Sequence, residues 1–132
     1  MDGSLALCSG RTPAQAAGDA AESLVESRLV EAGWIILGRN VHVGRHELDL
    51  VATDPGPPAM LVFLEVRWRR RRDYGLAEET VDHRKRGRVR RAAFTLLEGG
   101  TLPSLPVRFD LVVVEPGDRG GEPNVRHHRA AF

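Results

Sequence analysis

The chain has 132 residues, of which 42% are hydrophobic and 28% charged, and its formal net charge is +1 at pH 7. These values are typical of a single globular domain with one core. No apolar run approaches the roughly 20 residues of a membrane-spanning helix, and no basic stretch marks a signal peptide. The single cysteine, Cys8, excludes an internal disulfide and a cysteine-based zinc cluster. We therefore expect a cytoplasmic protein without a membrane partner.

The small net charge hides a strongly basic segment. Of the 19 Lys and Arg residues, 11 fall between Arg67 and Arg91, where there are only four acids. Such a segment can attract phosphate even when the whole chain is nearly neutral. A solvated charged surface is an equally good interpretation of the composition alone. Lys85 is the only lysine of the chain.

Residues 1–12 are interpreted as a flexible leader and residues 13–132 as one domain. An apolar stripe at helical spacing predicts a first helix over residues 13–33, with Gly33 just past its end. Glu22 borders this stripe and is predicted to face the sheet. The alternative is a partly exposed acid paired with an arginine.

Two strands are predicted next, after a short apolar strand that begins with residues 34–37 and closes near Arg39-Asn40. Residues 45–52 and 61–67 read as strands, joined by a Pro-rich loop. Alternation puts Leu48 on the same face as Leu50 and Ala52, and Asp49 on the other face. Neighbouring strands could then bring Asp49 close to Glu65. Paired carboxylates of this kind offer hard oxygen ligands to a divalent metal ion.

The remaining elements carry most of the basic residues. A loop over residues 68–79 contains Trp68 and the run Arg69, Arg70, Arg71 and Arg72, side chains that can stack on bases and bind phosphates. A second helix is predicted from an Asp82 N-cap to about Glu98. Lys85 lies on its apolar stripe and needs an anionic partner, whereas Arg84, Arg86 and Arg88 mostly cover other sides. Residues 107–114 form a strand, and residues 124–132 either add an edge strand or trail off.

Taken together, these features resemble the YraN family of small restriction-endonuclease-like proteins related to Holliday-junction resolvases. The likeness covers about residues 18–132 and rests on an ordered set of short motifs. These are Gly18-(x)3-Glu22, Gly33-Trp34, Gly38-Arg39-Asn40, Glu47-Leu48-Asp49-Leu50-Val51-Ala52, Phe63-Leu64-Glu65-Val66-Arg67, Gly75, Glu79, Lys85, Arg108-Phe109-Asp110 and Ala131-Phe132. The resemblance implies an α/β fold, restriction-endonuclease-like, with a central mixed sheet of about five strands flanked by helices.

The resemblance also implies a catalytic site. Asp49 and Glu65 would bind Mg²⁺ or Mn²⁺, Glu22 would approach from the first helix, and Lys85 would contribute from the second. Such an ion neutralises charge on a phosphate and acidifies a bound water. Arg67 stands where the family has its catalytic lysine, and arginine cannot act as a base, although it can hold a phosphate. His46 replaces a glycine that the family usually has before the first acidic motif.

Three functions follow as alternatives. The first is a metal-dependent endonuclease on DNA, with branched or structured DNA as a candidate substrate and a homodimer as a candidate assembly. The second is a non-catalytic nucleic-acid-binding module that grips phosphates through Arg69, Arg70, Arg71, Arg72, Arg84, Arg86 and Arg88. The third is a scaffold whose arginine-rich face binds an acidic protein. DNA is expected as the partner ahead of RNA.

Overall fold

The computed structural model describes residues 12–69 and 83–132. The elements in chain order are α1 (Pro13–Glu31), β1 (Ile35–Val43), β2 (His46–Asp54), β3 (Met60–Trp68), α2 (His83–Glu98), β4 (Val107–Glu115), a 3₁₀ turn (Asp118–Gly120) and β5 (Asn124–His128). The predicted leader, the Asp82 N-cap and most of the predicted loop over residues 68–79 lie outside the described residues.

The first helix begins at a capping box. The Thr12 side chain accepts a hydrogen bond from the Gln15 N–H, and the Gln15 side chain accepts one from the Thr12 N–H. Pro13 occupies the first turn, where its missing N–H costs nothing. The helix ends at Glu31, two residues before Gly33, whose φ of 92° suits glycine. The predicted first helix is confirmed.

The five strands form one mixed sheet in the order β1-β2-β3-β4-β5. The pairs β1–β2, β2–β3 and β4–β5 are antiparallel, and β3–β4 is parallel. A parallel pair needs a crossover connection, and α2 lies in the segment that joins β3 to β4. The predicted α/β fold with a five-stranded mixed sheet and flanking helices is confirmed.

Each helix packs its apolar stripe on the sheet. Buried residues of α1 join one cluster with alternate residues of β2, β3 and β4, namely Ala21, Val25, Leu29, Leu50, Ala52, Val62, Leu64, Val112 and Val114. Buried residues of α2 join a second cluster, which comprises Val89, Ala92, Ala93, Leu48, Val51, Leu61, Phe63 and Phe109. The sheet therefore lies between two helices, and its inner strands are apolar on both faces.

Two sequence expectations were wrong in detail. The first strand runs from Ile35 to Val43, a few residues beyond the expected end near Arg39-Asn40, because a bulge between Ile36 and Gly38 interrupts the apolar alternation without ending the strand. Leu48 packs in the cluster of α2 rather than with Leu50 and Ala52. The β2–β3 ladder ends at Leu50, and the beginning of β2 stays paired with β1 alone, next to Asn40, whose φ is 51°.

The open question about residues 124–132 is resolved by an edge strand, because β5 pairs with β4 over Asn124–His128. No helix in the described part of the chain is long and apolar enough to cross a membrane.

Candidate functional site

The two central antiparallel strands separate at one end of their ladder, and Asp49 lies at that point. Pairing of β2 with β3 runs from Asp54 opposite Met60 to Leu50 opposite Leu64 and stops there. Beyond it, the Asp49 carboxylate accepts a hydrogen bond from the Val66 N–H over 2.9 Å. The side chain thus satisfies a backbone donor that the neighbouring strand no longer reaches. This separation leaves room for side chains at the strand ends.

Glu65 lies on the adjacent strand and faces α2. Its side chain is only 6% exposed, and its Oε1 atom forms an ion pair with Lys85 Nζ. Lys85 precedes Val89 by one helical turn, and Val89 packs on the sheet. The only lysine of the chain therefore points toward the sheet and meets the acid that the sequence placed beside Asp49.

Glu22 approaches from α1, the helix on the opposite face. Arg39 Nε lies 3.5 Å from Glu22 Oε1, and Arg39 Nη1 lies 3.8 Å from Glu26 Oε2. The same guanidinium donates hydrogen bonds to Ser23 Oγ and to the Asp19 carbonyl. Glu22 Oε1 is buried and has no hydrogen-bond partner within the described residues. Both sequence interpretations of Glu22 hold, since it faces the sheet and is paired with an arginine.

Crowding of carboxylates changes their proton affinity. Burial, the charge of Glu65, a hydrogen bond with Glu65 and the charge of Glu22 together raise the pKa of Asp49 to about 8, against an ordinary value of 3.8. The Val66 N–H opposes this rise only in part. Burial likewise raises the pKa of Glu22, and Arg39 counteracts it. Burial and neighbouring acids therefore disfavour the charged form of Asp49, and carboxyl groups perturbed in this way are common at functional sites.

Two arginines adjoin Glu65 and Lys85 in the sequence, Arg67 on β3 and Arg86 on α2. Arg67 follows Glu65 by two residues on the same face of β3, and Arg86 follows Lys85 on α2. The Nε atoms of both side chains are buried and have no hydrogen-bond partner in the described structure. Arg84 and Arg88 are exposed on α2, so they are accessible to a large polyanion.

The predicted base-stacking and phosphate-binding loop is only partly described. Trp68 is 37% exposed at the end of β3, and Arg69 is half-buried with its N–H donating to the Val114 carbonyl. Arg70, Arg71 and Arg72 lie outside the described residues, and their proposed contact with nucleic acid stays a prediction.

A metal ion is chemically compatible with Asp49 and Glu65. Within residues 12–69 and 83–132, no group of three or more His, Cys, Asp or Glu side chains could hold a metal ion. Two carboxylates suffice for Mg²⁺ or Mn²⁺ when water completes the shell, as is usual for Mg²⁺ at phosphate-processing sites. The raised pKa of Asp49 supports the fit, because a divalent cation would relieve the same repulsion that a proton relieves.

A second polar cluster was not predicted from the sequence. Asp110 is fully buried on β4 and contacts Arg108, His127 and the Ala130 N–H, while Arg108 also pairs with Asp54. Asp54 follows Asp49 by five residues, about 16 Å along β2. The available signal was two charges, Arg108 and Asp110, alternating within an otherwise apolar strand, which demands buried partners.

Comparisons with known proteins identify relatives. The profile of a family described as "Uncharacterised protein family UPF0102" matches residues 21–114. A UPF0102 protein of Anaeromyxobacter dehalogenans is 44% identical over 120 residues, which cover 89% of this chain and 84% of that protein. UPF0102 protein STH1475 of Symbiobacterium thermophilum is 42% identical over 104 residues, covering 78% and 85% respectively.

Among solved structures, Pyrococcus furiosus SfsA in complex with Ca²⁺ is similar over 88% of this chain and 63% of its own. The sequence identity is 15% and the TM-score is 0.35, values too low to support an argument about fold or function.

Proposed function

The chain belongs to UPF0102, the family called YraN above, and we propose that this member is a metal-dependent endonuclease that hydrolyses phosphodiesters in DNA. The proposal rests on one observation. Asp49 and Glu65 meet where β2 and β3 separate, and burial, followed by the charges of Glu65 and Glu22, raises the pKa of Asp49 to about 8. Glu65 is paired with Lys85 and Glu22 with Arg39, whereas Asp49 is buried beside both acids, a position that a divalent cation would stabilise.

The assignment to the restriction-endonuclease-like class is part of the same proposal. A mixed sheet with a helix on each face carries the acids at the separated ends of two neighbouring strands. This arrangement leaves one side of the carboxylates open to a substrate that approaches the end of the sheet. The exposed arginines of α2, Arg84 and Arg88, would contact the phosphate backbone nearby.

Each residue of the site has a defined task in this proposal. Asp49 and Glu65 would hold Mg²⁺ or Mn²⁺, which when bound supplies Lewis-acid stabilisation of the charge on the phosphoryl oxygens. Asp49 is fixed in orientation by the Val66 N–H. Glu22 would add negative potential from α1 without direct contact with the substrate, since its carboxylate is paired with Arg39.

In this proposal Lys85 on α2 takes the role of the catalytic lysine that the family has on β3, at the position of Arg67. Its Nζ atom contacts Glu65, so it can hold a water molecule or a phosphate oxygen next to the carboxylates. Lysine can exchange a proton in such a setting, whereas arginine stays charged. Arg67 would therefore bind charge rather than move protons.

A nuclease panel tests the proposal directly. Single-stranded, duplex, flap and four-way-junction DNA, with matched RNA, would be incubated with the protein and millimolar Mn²⁺ or Mg²⁺. We expect cleavage of at least one DNA substrate and a loss of about a hundredfold or more in Glu65→Gln, because an amide is a poor ligand for a hard cation. Glu98→Gln, an exposed acid at the end of α2, is the matched control and should retain the wild-type rate.

The same panel distinguishes the alternatives. Salt-sensitive binding without cleavage under any metal condition would favour a non-catalytic nucleic-acid-binding module. Cleavage that persists in Glu65→Gln would mean that these carboxylates are not the site. Preference for the four-way junction would call for a homodimer, which light scattering can detect, because such substrates suit two-fold symmetry.

Restoring a lysine at position 67 is a second test. We expect Arg67→Lys to raise the cleavage rate by about tenfold or more, because general acid–base assistance contributes roughly 10²–10⁴ in comparable sites and Lys85 already supplies part of it. The rate would be measured under single-turnover conditions, so that chemistry is separated from product release. An unchanged or lower rate would show that position 67 requires a side chain that always stays positively charged.

The cytoplasmic location belongs to the proposal too. It is supported by the single cysteine in 132 residues, which suits a reducing compartment.

A further inference from the structure

One guanidinium nitrogen of Arg67 on β3 and one of Arg86 on α2 have no hydrogen-bond partner in the described part of the chain. Arg67 Nε and Arg86 Nε are both removed from solvent and make no hydrogen bond in the described structure. A buried charged donor left unsatisfied is costly, and native proteins rarely keep two in one place. Their environment therefore calls for an anion that both can share.

Both arginines lie next to residues that join β3 to α2. Glu65 on β3 touches Lys85 on α2, so the first turns of the helix lie over the end of this strand. Arg67 projects from the same face as Glu65, about 7 Å further along the strand. Arg86 lies three residues before Val89 and seven before Ala93, both of which pack on the sheet. Arg86 is thus on the inner face of α2, not on the outer surface where the sequence analysis placed it.

The neighbours of the two arginines define what the anion can be. Glu65 is already paired with Lys85, and Asp49 accepts the Val66 N–H, so within residues 12–69 and 83–132 neither arginine is paired with these two carboxylates. The fork of an arginine matches a tetrahedral phosphate with two parallel hydrogen bonds. Exposed arginines at positions 84 and 88 continue the positive surface along α2.

We propose that Arg67 and Arg86 form a phosphate subsite beside the carboxylate pair, which binds one phosphodiester of the nucleic-acid substrate. The subsite rests on the proposed function only in taking a nucleic-acid phosphate as its ligand. It assigns Arg86, a residue outside the motifs of the family resemblance, to substrate binding. It also accounts for an arginine at position 67, since two guanidinium groups can share one phosphate where a single lysine would act as a point charge.

The subsite can be tested without metal or hydrolysis. Binding of a short oligothymidylate would be measured by fluorescence anisotropy in EDTA at fixed salt, for the full chain and for Arg67→Met and Arg86→Met. Methionine keeps a long unbranched side chain and removes the charge. We expect each variant to bind about tenfold or more weakly. Arg28→Met, an exposed arginine on α1 that has no role in the proposed site, makes the same change in net charge and should lose about threefold or less.

Two further readouts separate ligand binding from a structural role. Because each substitution removes a buried Nε atom that has no hydrogen-bond partner, both variants should be as stable as the wild type, or more stable, without ligand. Because both arginines hold one phosphate, the double variant should bind only slightly more weakly than either single variant. Lower stability of both variants, or an affinity loss equal to that of Arg28→Met, would overturn the subsite.

A polyglutamate of equal length serves as the competitor in the same assay. If it bound as tightly as the oligonucleotide, the ligand would be a carboxylate and the phosphate assignment would be wrong. Failure of the subsite and failure of the nuclease proposal are independent, because binding is measured in EDTA and cleavage in Mn²⁺. Cleavage with unchanged affinity in Arg86→Met would leave the nuclease proposal intact and reject only the subsite.

Discussion

Replacing Asp49 with asparagine is expected to stabilise the metal-free protein at alkaline pH. The folded pKa of Asp49 is about 8, above its ordinary 3.8, so the folded state holds a proton that the unfolded state releases. Stability contributed by this group is therefore full below about pH 4 and is lost as the pH rises toward 8. Asparagine is neutral throughout and keeps an oxygen that can accept the Val66 N–H.

The expected difference is on the order of 3 kcal/mol at about pH 9, shrinking steadily toward about pH 4. A single pKa unit corresponds to about 1.4 kcal/mol, and we discount the full shift because the neighbouring Glu65 shares the proton and side chains can move apart. Urea unfolding in EDTA across this pH range measures it. Glu47→Gln, an acid that is 46% exposed and pairs with His42, is the control and should show no such trend.

Adding Mn²⁺ should make the wild type more stable than Asp49→Asn at alkaline pH, the reverse of the order expected without metal. Mn²⁺ would stabilise the wild type by mass action at pH 8 or above, and it should stabilise Asp49→Asn far less, because the amide cannot supply the charge that the cation needs. If the wild type is neither destabilised by alkali nor stabilised by Mn²⁺, the raised pKa of Asp49 and the proposed metal site are both wrong.

The local chemistry of the site followed from the sequence because it depends on alternation within single strands. Asp49 and Glu65 each sit in an apolar run, and a two-residue period fixes which neighbours share their face. Lys85 was assigned to the inner face by the helical period alone, and its ion pair with Glu65 has the predicted orientation. The face on which a side chain lies can thus be predicted from the sequence where it depends only on the spacing of neighbouring residues.

Features set by contacts distant in sequence were not accessible. Arg39 bridges α1 and β1 through Glu22 and Glu26, in a strand whose residue Asn40 has a φ of 51°. The bulge and this positive φ disturb alternation, so the apolar pattern ends near Leu37 although pairing continues to Val43. Sequence periodicity therefore detected only the first half of β1.

The face of Arg86 was misjudged for a related reason. Its neighbours in sequence are basic, and a basic run on a helix is ordinarily a solvated face. The spacing of Arg86 to Val89 and Ala93 indicates the inner face of the helix. Lys85, at the preceding position, was already assigned to that face, so the pattern did not show that both residues lie there. The Lys85–Glu65 ion pair and the buried Nε atom of Arg86 show that both residues lie toward the sheet at the beginning of the helix.

The second prediction concerns the polar cluster around Asp110, which ties the C-terminal segment to the sheet. Asp110 accepts hydrogen bonds from Arg108 Nε, Arg108 Nη2, His127 Nε2 and the Ala130 N–H at 2.7–3.0 Å. The Ala131 N–H donates to the Phe109 carbonyl, and the rings of Phe109 and Phe132 lie 5.6 Å apart. One carboxylate therefore organises the donors of three separate chain segments.

Asp110→Ala is expected to destabilise the protein by about 3–5 kcal/mol, the usual cost of breaking a buried charge network by removing one partner. Arg108 would keep its hydrogen bond to Asp54 but lose the two to Asp110, and His127 would lose its hydrogen-bond acceptor. Asp110→Asn should cost less, about 2 kcal/mol, because a neutral acceptor keeps part of the bonding. Glu98→Ala, an exposed acid, should be neutral within about 0.5 kcal/mol.

The pH dependence of this cluster has the opposite sign to that of Asp49. Burial raises the pKa of Asp110, but His127, Arg108 and the Ala130 N–H outweigh burial and hold it below 3.8. Its contribution is therefore present above about pH 4 and lost as the pH falls through the lowered folded value. The stability gap between wild type and Asp110→Ala should narrow below about pH 4, with faster amide exchange in residues 124–132 of the variant at neutral pH. A gap that stays constant with pH would mean that packing, and not the charge of Asp110, holds the C-terminal segment on β4.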